Sequence, residues 1–203
     1  MRLGFLQLSD VERQVYFEQA AIRRNLHVAI VEKDFWVCWL LAVLFDDEPL
    51  RAALVFKGGT SLSKVHRAIE RFSEDIDLSL APEWLGIDEN ELGPQASRTQ
   101  RDRWMTTLQA ACASRVRSRI QPSLEAVAHS VLGARSGGRD WLEYVEEPGS
   151  QSPVLLFHYP TRAANDFSYL PRSVKLEFGS LTEQRPARVS TVRPWLAEEL
   201  PHV

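Results

Sequence analysis

One unit of this chain constrains its fold more than any other: a strand, a glycine turn, a helix and a second strand in direct succession. The apolar run Ala53–Phe56 stops at Gly58 and Gly59, which predicts a buried strand followed by a tight turn. Residues 60–72 fit a helix with one apolar face, and the alternating residues 76–80 predict the second strand. The turn and the start of the second strand are therefore expected at the same end of a sheet.

Two helices are predicted on the N-terminal side of this unit. Ser9 and Glu12 have the S-x-x-E spacing of a capping box, which predicts a helix over residues 10–24. Residues 30–45 are apolar on nearly all sides, so a second helix there is expected to lie at the centre of the fold. These helices make up an N-terminal region of residues 10–45.

The second half of the chain adds a helical segment and two more strands. Residues 86–135 are mainly helical in character, and strand patterns return at residues 154–159 and 173–178. The prediction is an α+β fold, a single domain of 203 residues in which helices flank a short mixed sheet. The core of that sheet is expected within residues 50–82 and 152–180.

Composition and charge exclude several classes of protein. Apolar residues make up 44% of the chain and charged residues 25%, which is ordinary for a globular protein and excludes a largely disordered one. The net charge of −3 excludes a polycation, so nucleic-acid binding would need a local basic patch. The longest apolar run, residues 35–45, is far shorter than the roughly 20 residues of a membrane-spanning helix. We therefore expect a soluble cytoplasmic protein whose cysteines, Cys38 and Cys112, are buried thiols.

Two aspartates begin the second strand of the central unit. Asp75 and Asp77 are two residues apart, so on a strand both carboxylates point to one face while Ile76 points to the other. Hard cations bind carboxylate oxygens, and a pair of such ions can stabilise both oxygens of an in-line phosphoryl displacement. The pattern therefore predicts a Mg²⁺ or Mn²⁺ site. Glu177, within the strand pattern of residues 173–178, is the candidate third ligand and catalytic carboxylate.

Groups suited to binding phosphate accompany these carboxylates. Gly58, Gly59, Thr60 and Ser61 supply a glycine turn and a helix start, where backbone N–H groups commonly bind phosphate oxygens. Lys175 lies on the same predicted strand face as the third carboxylate, where its ammonium group can neutralise phosphate charge during catalysis.

Each of these elements also has an ordinary structural explanation. A lone glycine turn is most often only a turn, and a lone pair of aspartates is more often a solvated strand end. Lys64, one helical turn beyond the glycines, either faces the phosphates or lies on a solvated helix face. The combination at this spacing, after an apolar strand, favours a functional interpretation: metal-dependent transfer of a nucleotide from a nucleoside triphosphate.

Four motifs of the chain resemble the AbiEii family of nucleotidyltransferase toxins, which is related to DNA-polymerase-beta-like nucleotidyltransferases. The most specific block is Lys57–Lys64, with the sequence KGGTSLSK, followed by Arg71–Leu78, with the sequence RFSEDIDL. Val31–Val37 (VEKDFWV) and Val174–Gly179 (VKLEFG) are similar to the family's N-terminal helix motif and later strand motif. The resemblance spans residues 25 to about 200.

The resemblance implies a fold, an activity and partners. It implies a polymerase-beta-like core and transfer from a nucleoside triphosphate, in studied relatives to the acceptor end of tRNA. Members are the toxin half of bacterial toxin–antitoxin or abortive-infection systems, and the antitoxin is typically a winged-helix DNA-binding protein. No membrane partner is implied. By this resemblance Gly59, Thr60 and Ser61 would hold phosphate, Lys175 would contact the nucleotide, Asp75 and Asp77 would bind the metal, and Ser73 would line the site. The predicted nucleotide-binding set also includes Lys57, Gly58 and Lys64.

The resemblance also raises an expectation about the C-terminal part. Relatives usually continue for about another half-domain of helices, so this chain is expected to lack a family-like C-terminal helical portion. Apolar surface would then be exposed on the sheet or on residues 189–200. The chain would be a piece of a longer protein, or it would bind a second copy of itself or the antitoxin.

The acceptor is left open by the residues alone. Six arginines in the helical segment could contact RNA phosphates, although exposed arginine-rich helices are also common without RNA. One alternative is an enzyme of the same chemistry that modifies a protein hydroxyl or a small molecule. Another is a truncated, non-catalytic module that only binds the antitoxin. The six arginines are Arg98, Arg101, Arg103, Arg115, Arg117 and Arg119.

Overall fold

The computed structural model describes residues 3–65, 75–88, 92–93, 95–147, 152–162, 170–181, 184 and 187–202. None of the helices in these residues is long and apolar enough to cross a membrane. A π-helical segment, Val116–Ile120, lies between the seventh and eighth helices. In chain order the elements are α1 (Leu3–Leu6), α2 (Asp10–Arg24), α3 (Val28–Asp46), α4 (Glu48–Ala53), β1 (Leu54–Lys57), α5 (Gly58–Lys64), β2 (Asp75–Leu80), α6 (Pro82–Leu85), α7 (Arg98–Arg115), α8 (Gln121–Leu132), β3 (Leu142–Val145), β4 (Val154–Phe157), β5 (Val174–Gly179) and α9 (Trp195–Glu199).

The strands of the described residues form one five-stranded sheet in the order β1-β2-β5-β4-β3. β2 and β5 are parallel and the other neighbouring pairs are antiparallel, which confirms the predicted α+β class with a mixed sheet. The sequence analysis predicts no strand at Leu142–Val145, where the structure has β3. These four residues contain a glutamate and have a weak local signal, and their pairing with β4 makes them a strand.

The two faces of the sheet differ in polarity where β2 and β5 lie side by side. Ile76, Leu78, Leu176 and Phe178 are fully buried. Because side chains alternate along a strand, they share one face of the sheet. The thiol of Cys112, on α7, lies 3.7 Å from the carbonyl oxygen of Phe178. The polar residues between these positions therefore point to the opposite face.

The predicted central helix is present as α3, and most of its residues are buried. Three of its buried residues are charged, and each is bound by a different part of the chain. Glu32 accepts a hydrogen bond from the Thr161 hydroxyl at 2.6 Å, and Lys33 donates one to the carbonyl oxygen of Pro171 at 3.2 Å. Asp34, the third, contacts two further elements that are described below. α3 thus fixes the chain segments that carry the site.

The helical segment predicted for residues 86–135 is observed as one continuous stretch of helix over residues 98–132. α7, the π-helical segment and α8 follow one another without a break from Arg98 to Leu132. The N–H of Gln121 bonds to the carbonyl of Val116, five residues earlier. Pro122 follows and has no N–H to donate, so a wider turn at this point agrees with the change of hydrogen-bond register.

The C-terminal tail buries apolar residues that were expected on the surface. α9 contacts α2 and α3. Leu196 is 2% exposed and Leu200 1%, whereas Val189 is fully exposed. The expectation of exposed apolar surface is therefore wrong for residues 195–200 and holds at Val189. The reason is that α9 packs on the N-terminal helices, which the local sequence does not reveal.

Candidate functional site

The glycine turn and the second aspartate of β2 are in direct contact. β1 and β2 pair so that Lys57 lies opposite Asp77, which places Gly58 beside the aspartate side chain. Gly58 has a φ of 72°, in the left-handed region that favours glycine. A Cβ atom at Gly58 would lie 2.5 Å from Cγ of Asp77 and closer still to its Oδ2. The turn and the carboxylate therefore occupy adjoining space that only a glycine leaves open.

The parallel pairing of β2 and β5 brings the predicted charged residues together. Asp75 lies opposite Lys175, and Asp77 lies opposite Glu177. Because paired residues on neighbouring strands point to the same side, all four side chains share the face opposite the apolar core. The three carboxylates predicted from the sequence are thus on one side of the sheet, beside the glycine turn.

The electrostatics of Asp77 reflect this crowding. Burial is the main cause that raises the pKa of Asp77 above its usual value, and the neighbouring Glu177 carboxylate adds to the increase. Lys57 and Lys175 oppose it. The Lys57 amine crosses toward β5, where it would lie 3.1 Å from a Cβ atom at Gly179. A bound cation would relieve the repulsion between the two carboxylates.

Lys175 is bound by a carboxylate that sequence reasoning does not identify. Its amine lies 2.8 Å and 2.9 Å from the two carboxylate oxygens of Glu147 and 3.5 Å from Glu177. The hydrogen bond that Lys175 donates to Glu147 is the main cause that raises the pKa of Lys175. Glu147 follows β3, a strand that the sequence does not predict, so no sequence signal connects it to the site.

Thr60 and Ser61 are buried within the turn. The Thr60 hydroxyl donates a hydrogen bond to the backbone carbonyl of Asp75, which fastens the start of α5 to the start of β2. Thr60 is 1% exposed and Ser61 6%. The Thr60 hydroxyl therefore has a protein partner. Phosphate binding by these two residues and by Gly59 stays a prediction.

Lys64 and Ser73 differ from the other predicted site residues. The Lys64 amine forms an ion pair with the fully buried Asp34 carboxylate and donates a hydrogen bond to the carbonyl of Arg193 at 3.3 Å. Its contacts are therefore with α3 and the C-terminal tail, which corrects the interpretation of this lysine as part of a solvated helix face. Phosphate binding by Lys64 stays a prediction. Ser73 lies outside the described residues.

One comparison with known proteins identifies the family. The model of the nucleotidyl transferase AbiEii toxin family, of type IV toxin–antitoxin systems, matches residues 39–203. The chain belongs to the AbiEii family. The match includes the glycine turn, both aspartates of β2 and the whole of β5, and it confirms the resemblance seen in the sequence motifs. No curated protein matches the chain significantly.

AbiEii proteins transfer nucleotides, which raises the question of a metal ion. The donor set at the sheet face is Asp75, Asp77 and Glu177, and carboxylate oxygens are the ligands that Mg²⁺ and Mn²⁺ prefer. The absent side chain at Gly58 lets the Asp77 carboxylate pack directly against the glycine turn. By their chemistry and their shared sheet face these residues suit a hard divalent cation.

A different group of potential metal ligands lies closer together in the described part of the chain. Glu125, His129 and Asp140 have one ligand atom each within 4.8 Å of one another. Both carboxylate oxygens of Glu125 already accept backbone N–H groups, from Trp141 at 2.8 Å and from Leu142 at 2.7 Å. Glu125 thus connects α8 to β3, and we assign this group a structural role.

The six arginines of the helical segment are all exposed, but several have protein partners. Arg117 pairs with Glu146 and lies 4.0 Å from the centroid of the Tyr144 ring. Arg119 lies 3.5 Å from the Asp47 carboxylate. These contacts anchor the helical segment to neighbouring loops, so the arginines form an interrupted basic surface rather than a continuous one.

Proposed function

We propose that this protein is an active nucleotidyltransferase that requires a divalent cation and uses a nucleoside triphosphate as its donor. One observation carries the proposal: Asp75, Asp77 and Glu177 share one sheet face directly beside the glycine turn, in a chain of the AbiEii family. In this proposal the carboxylates hold Mg²⁺ or Mn²⁺. The bound cation would polarise the phosphoryl oxygens and neutralise the charge that develops during transfer.

The other residues of the site bind and orient the triphosphate. Lys57 and Lys175 flank the carboxylates and supply positive charge for the phosphates. The backbone of Gly58 and Gly59 can approach the phosphates closely because neither residue has a side chain. Triphosphate binding would compete with Glu147 for the Lys175 amine, since both present negative oxygens to it.

For the acceptor we propose tRNA, and for the partner a winged-helix antitoxin. The family implies an antitoxin, and six exposed arginines on one helical segment support an RNA acceptor. We place the reaction in the cytoplasm, where triphosphates and tRNA are both present. A protein hydroxyl or a small molecule is the alternative acceptor.

The test is incubation of the protein with each of the four labelled nucleoside triphosphates, with Mg²⁺ or Mn²⁺, and with total RNA or total protein as acceptor. We expect label in the tRNA fraction, lost on adding a chelator and lost with Asp77→Asn. Label in protein would support the alternative acceptor. No label in any fraction, with a folded sample, would contradict the proposed activity.

A further inference from the structure

Asp34 has an environment that its place in an apolar helix does not explain. It lies in the middle of α3, and its side chain is completely buried. One carboxylate oxygen pairs with the Lys64 amine, and the other accepts the backbone N–H of Trp195 at 2.7 Å. A buried carboxylate is costly unless a cation and hydrogen bonds compensate it. Here α5 supplies the cation and α9 the hydrogen bond.

Lys64 is nearly as enclosed as its partner Asp34. Its side chain is 8% exposed, and the amine lies 4.5 Å from the centroid of the Trp195 ring. It also donates to the carbonyl of Arg193. Three groups from two parts of the chain, α3 and residues 193–195, therefore surround the ammonium group of Lys64, the last residue of α5.

α5 depends on such attachments for its position. It has seven residues, too few for a helix to be stable alone, and Leu62 on its surface is 46% exposed. At its start, Gly58 contacts Asp77 and the Thr60 hydroxyl bonds to β2. At its end the Lys64 ion pair holds it to α3. The helix is thus fixed at both ends, once to the carboxylate strand and once to the core.

We propose that Asp34 and Lys64 are positioning residues for the triphosphate site: their buried ion pair sets the placement of the glycine turn against Asp77. This inference rests on the proposed function, because the turn is taken as the place where phosphates bind. The pair would contact neither the nucleotide nor the metal. Its effect would reach the site through the rigid body of α5.

The test compares Lys64→Met, the double variant Asp34→Asn with Lys64→Met, and the control Arg51→Met. The double variant removes both charges, so no uncompensated charge is left in the core. Arg51 forms a surface ion pair with Glu48 at 3.1 Å, with both side chains more than half exposed, and it lies outside the site. Two properties are measured well below the lowest melting temperature: the affinity for a fluorescent triphosphate with Mg²⁺, and hydrogen exchange of the peptide spanning residues 58–64.

We expect about tenfold or greater weakening of triphosphate binding in both Lys64 variants, since small displacements of a binding group have effects of this size. Exchange should accelerate in residues 58–64 while peptides of α2 keep their protection, and Arg51→Met should match the parent protein. Unchanged binding or unchanged exchange in the folded double variant would overturn the proposal. Exchange that accelerates equally throughout the molecule would also overturn it, because that result indicates a general structural role.

The outcome for the parent protein separates this inference from the proposed function. If the parent binds no triphosphate, the proposed function fails. Hydrogen exchange of residues 58–64 then decides alone whether the ion pair positions the turn.

Discussion

Replacing Gly58 with alanine tests the central contact of the site. The new methyl group would have two consequences that can be separated. The residue would be held at a φ of 72°, which disfavours any side chain, and the methyl would overlap the Asp77 carboxylate. Gly86 provides a matched control, because its φ of 83° is similar and no atom lies within 4 Å of a Cβ added there.

The magnitudes follow from these two terms. The left-handed backbone costs an alanine about 1 kcal/mol, and this is the whole effect expected for Gly86→Ala. Relieving the overlap with Asp77 requires a side-chain or backbone shift that costs roughly 1–3 kcal/mol more. Gly58→Ala should therefore reduce the free energy of unfolding by about 2–4 kcal/mol, measured by denaturant titration at constant m-value.

Activity gives the second measurement for the same pair. Because the Asp77 carboxylate must move, transfer by Gly58→Ala should fall at least about a hundredfold, while Gly86→Ala should keep parental activity. The contact between Gly58 and Asp77 would be refuted if Gly58→Ala were no more destabilising than Gly86→Ala and were fully active. That result would mean that the turn and Asp77 are not in contact.

Three further perturbations address charges in and around the site. Asp77→Asn should reduce transfer by about a hundredfold or more while slightly raising the melting temperature, because it removes charge stabilisation from the reaction and repulsion from the resting site; full activity would exclude Asp77 as a metal ligand. Glu147→Gln should tighten triphosphate binding by about threefold, since a partly exposed ion pair competing for Lys175 is worth less than about 1 kcal/mol; weaker binding would contradict competition. Burial raises the pKa of Glu32 from 4.5 to about 7, so the folded state binds its proton more tightly than the unfolded state does. The Glu32 contribution to stability should therefore fall by about 3 kcal/mol as pH rises from about 5 to 8, and Glu32→Gln, followed by denaturant titration across that range, should remove this fall.

Local sequence predicts the parts of the site that lie close together along the chain. The glycine turn, the two aspartates and the strand that carries Lys175 follow from apolar runs, alternation and glycine punctuation. The parallel pairing of β2 with β5 cannot be predicted in this way, because about a hundred residues separate Asp77 from Glu177 and many strand registers satisfy the same pattern. Glu147 escapes prediction for the same reason: it reaches the site through β3, whose strand character depends on β4.

The contacts of Lys64 cannot be predicted from the local sequence. By position it lies one helical turn beyond the glycine turn, and its surroundings in the sequence do not distinguish a site residue from a surface residue. Only the tertiary structure reveals the buried Asp34 and the ring of Trp195 around it.

The sequence by itself determined the chemistry available to this protein: a D-x-D strand, a glycine turn, a third carboxylate and the motifs of the AbiEii family. These features are local, because side-chain alternation and turn geometry are set by residues within a few positions of each other. The tertiary structure decided which charges meet. It placed Glu177 beside Asp77, paired Lys175 with Glu147, and buried Lys64 against Asp34. Such pairings depend on packing between distant segments, where the cost of a buried charge permits only the arrangement that compensates it.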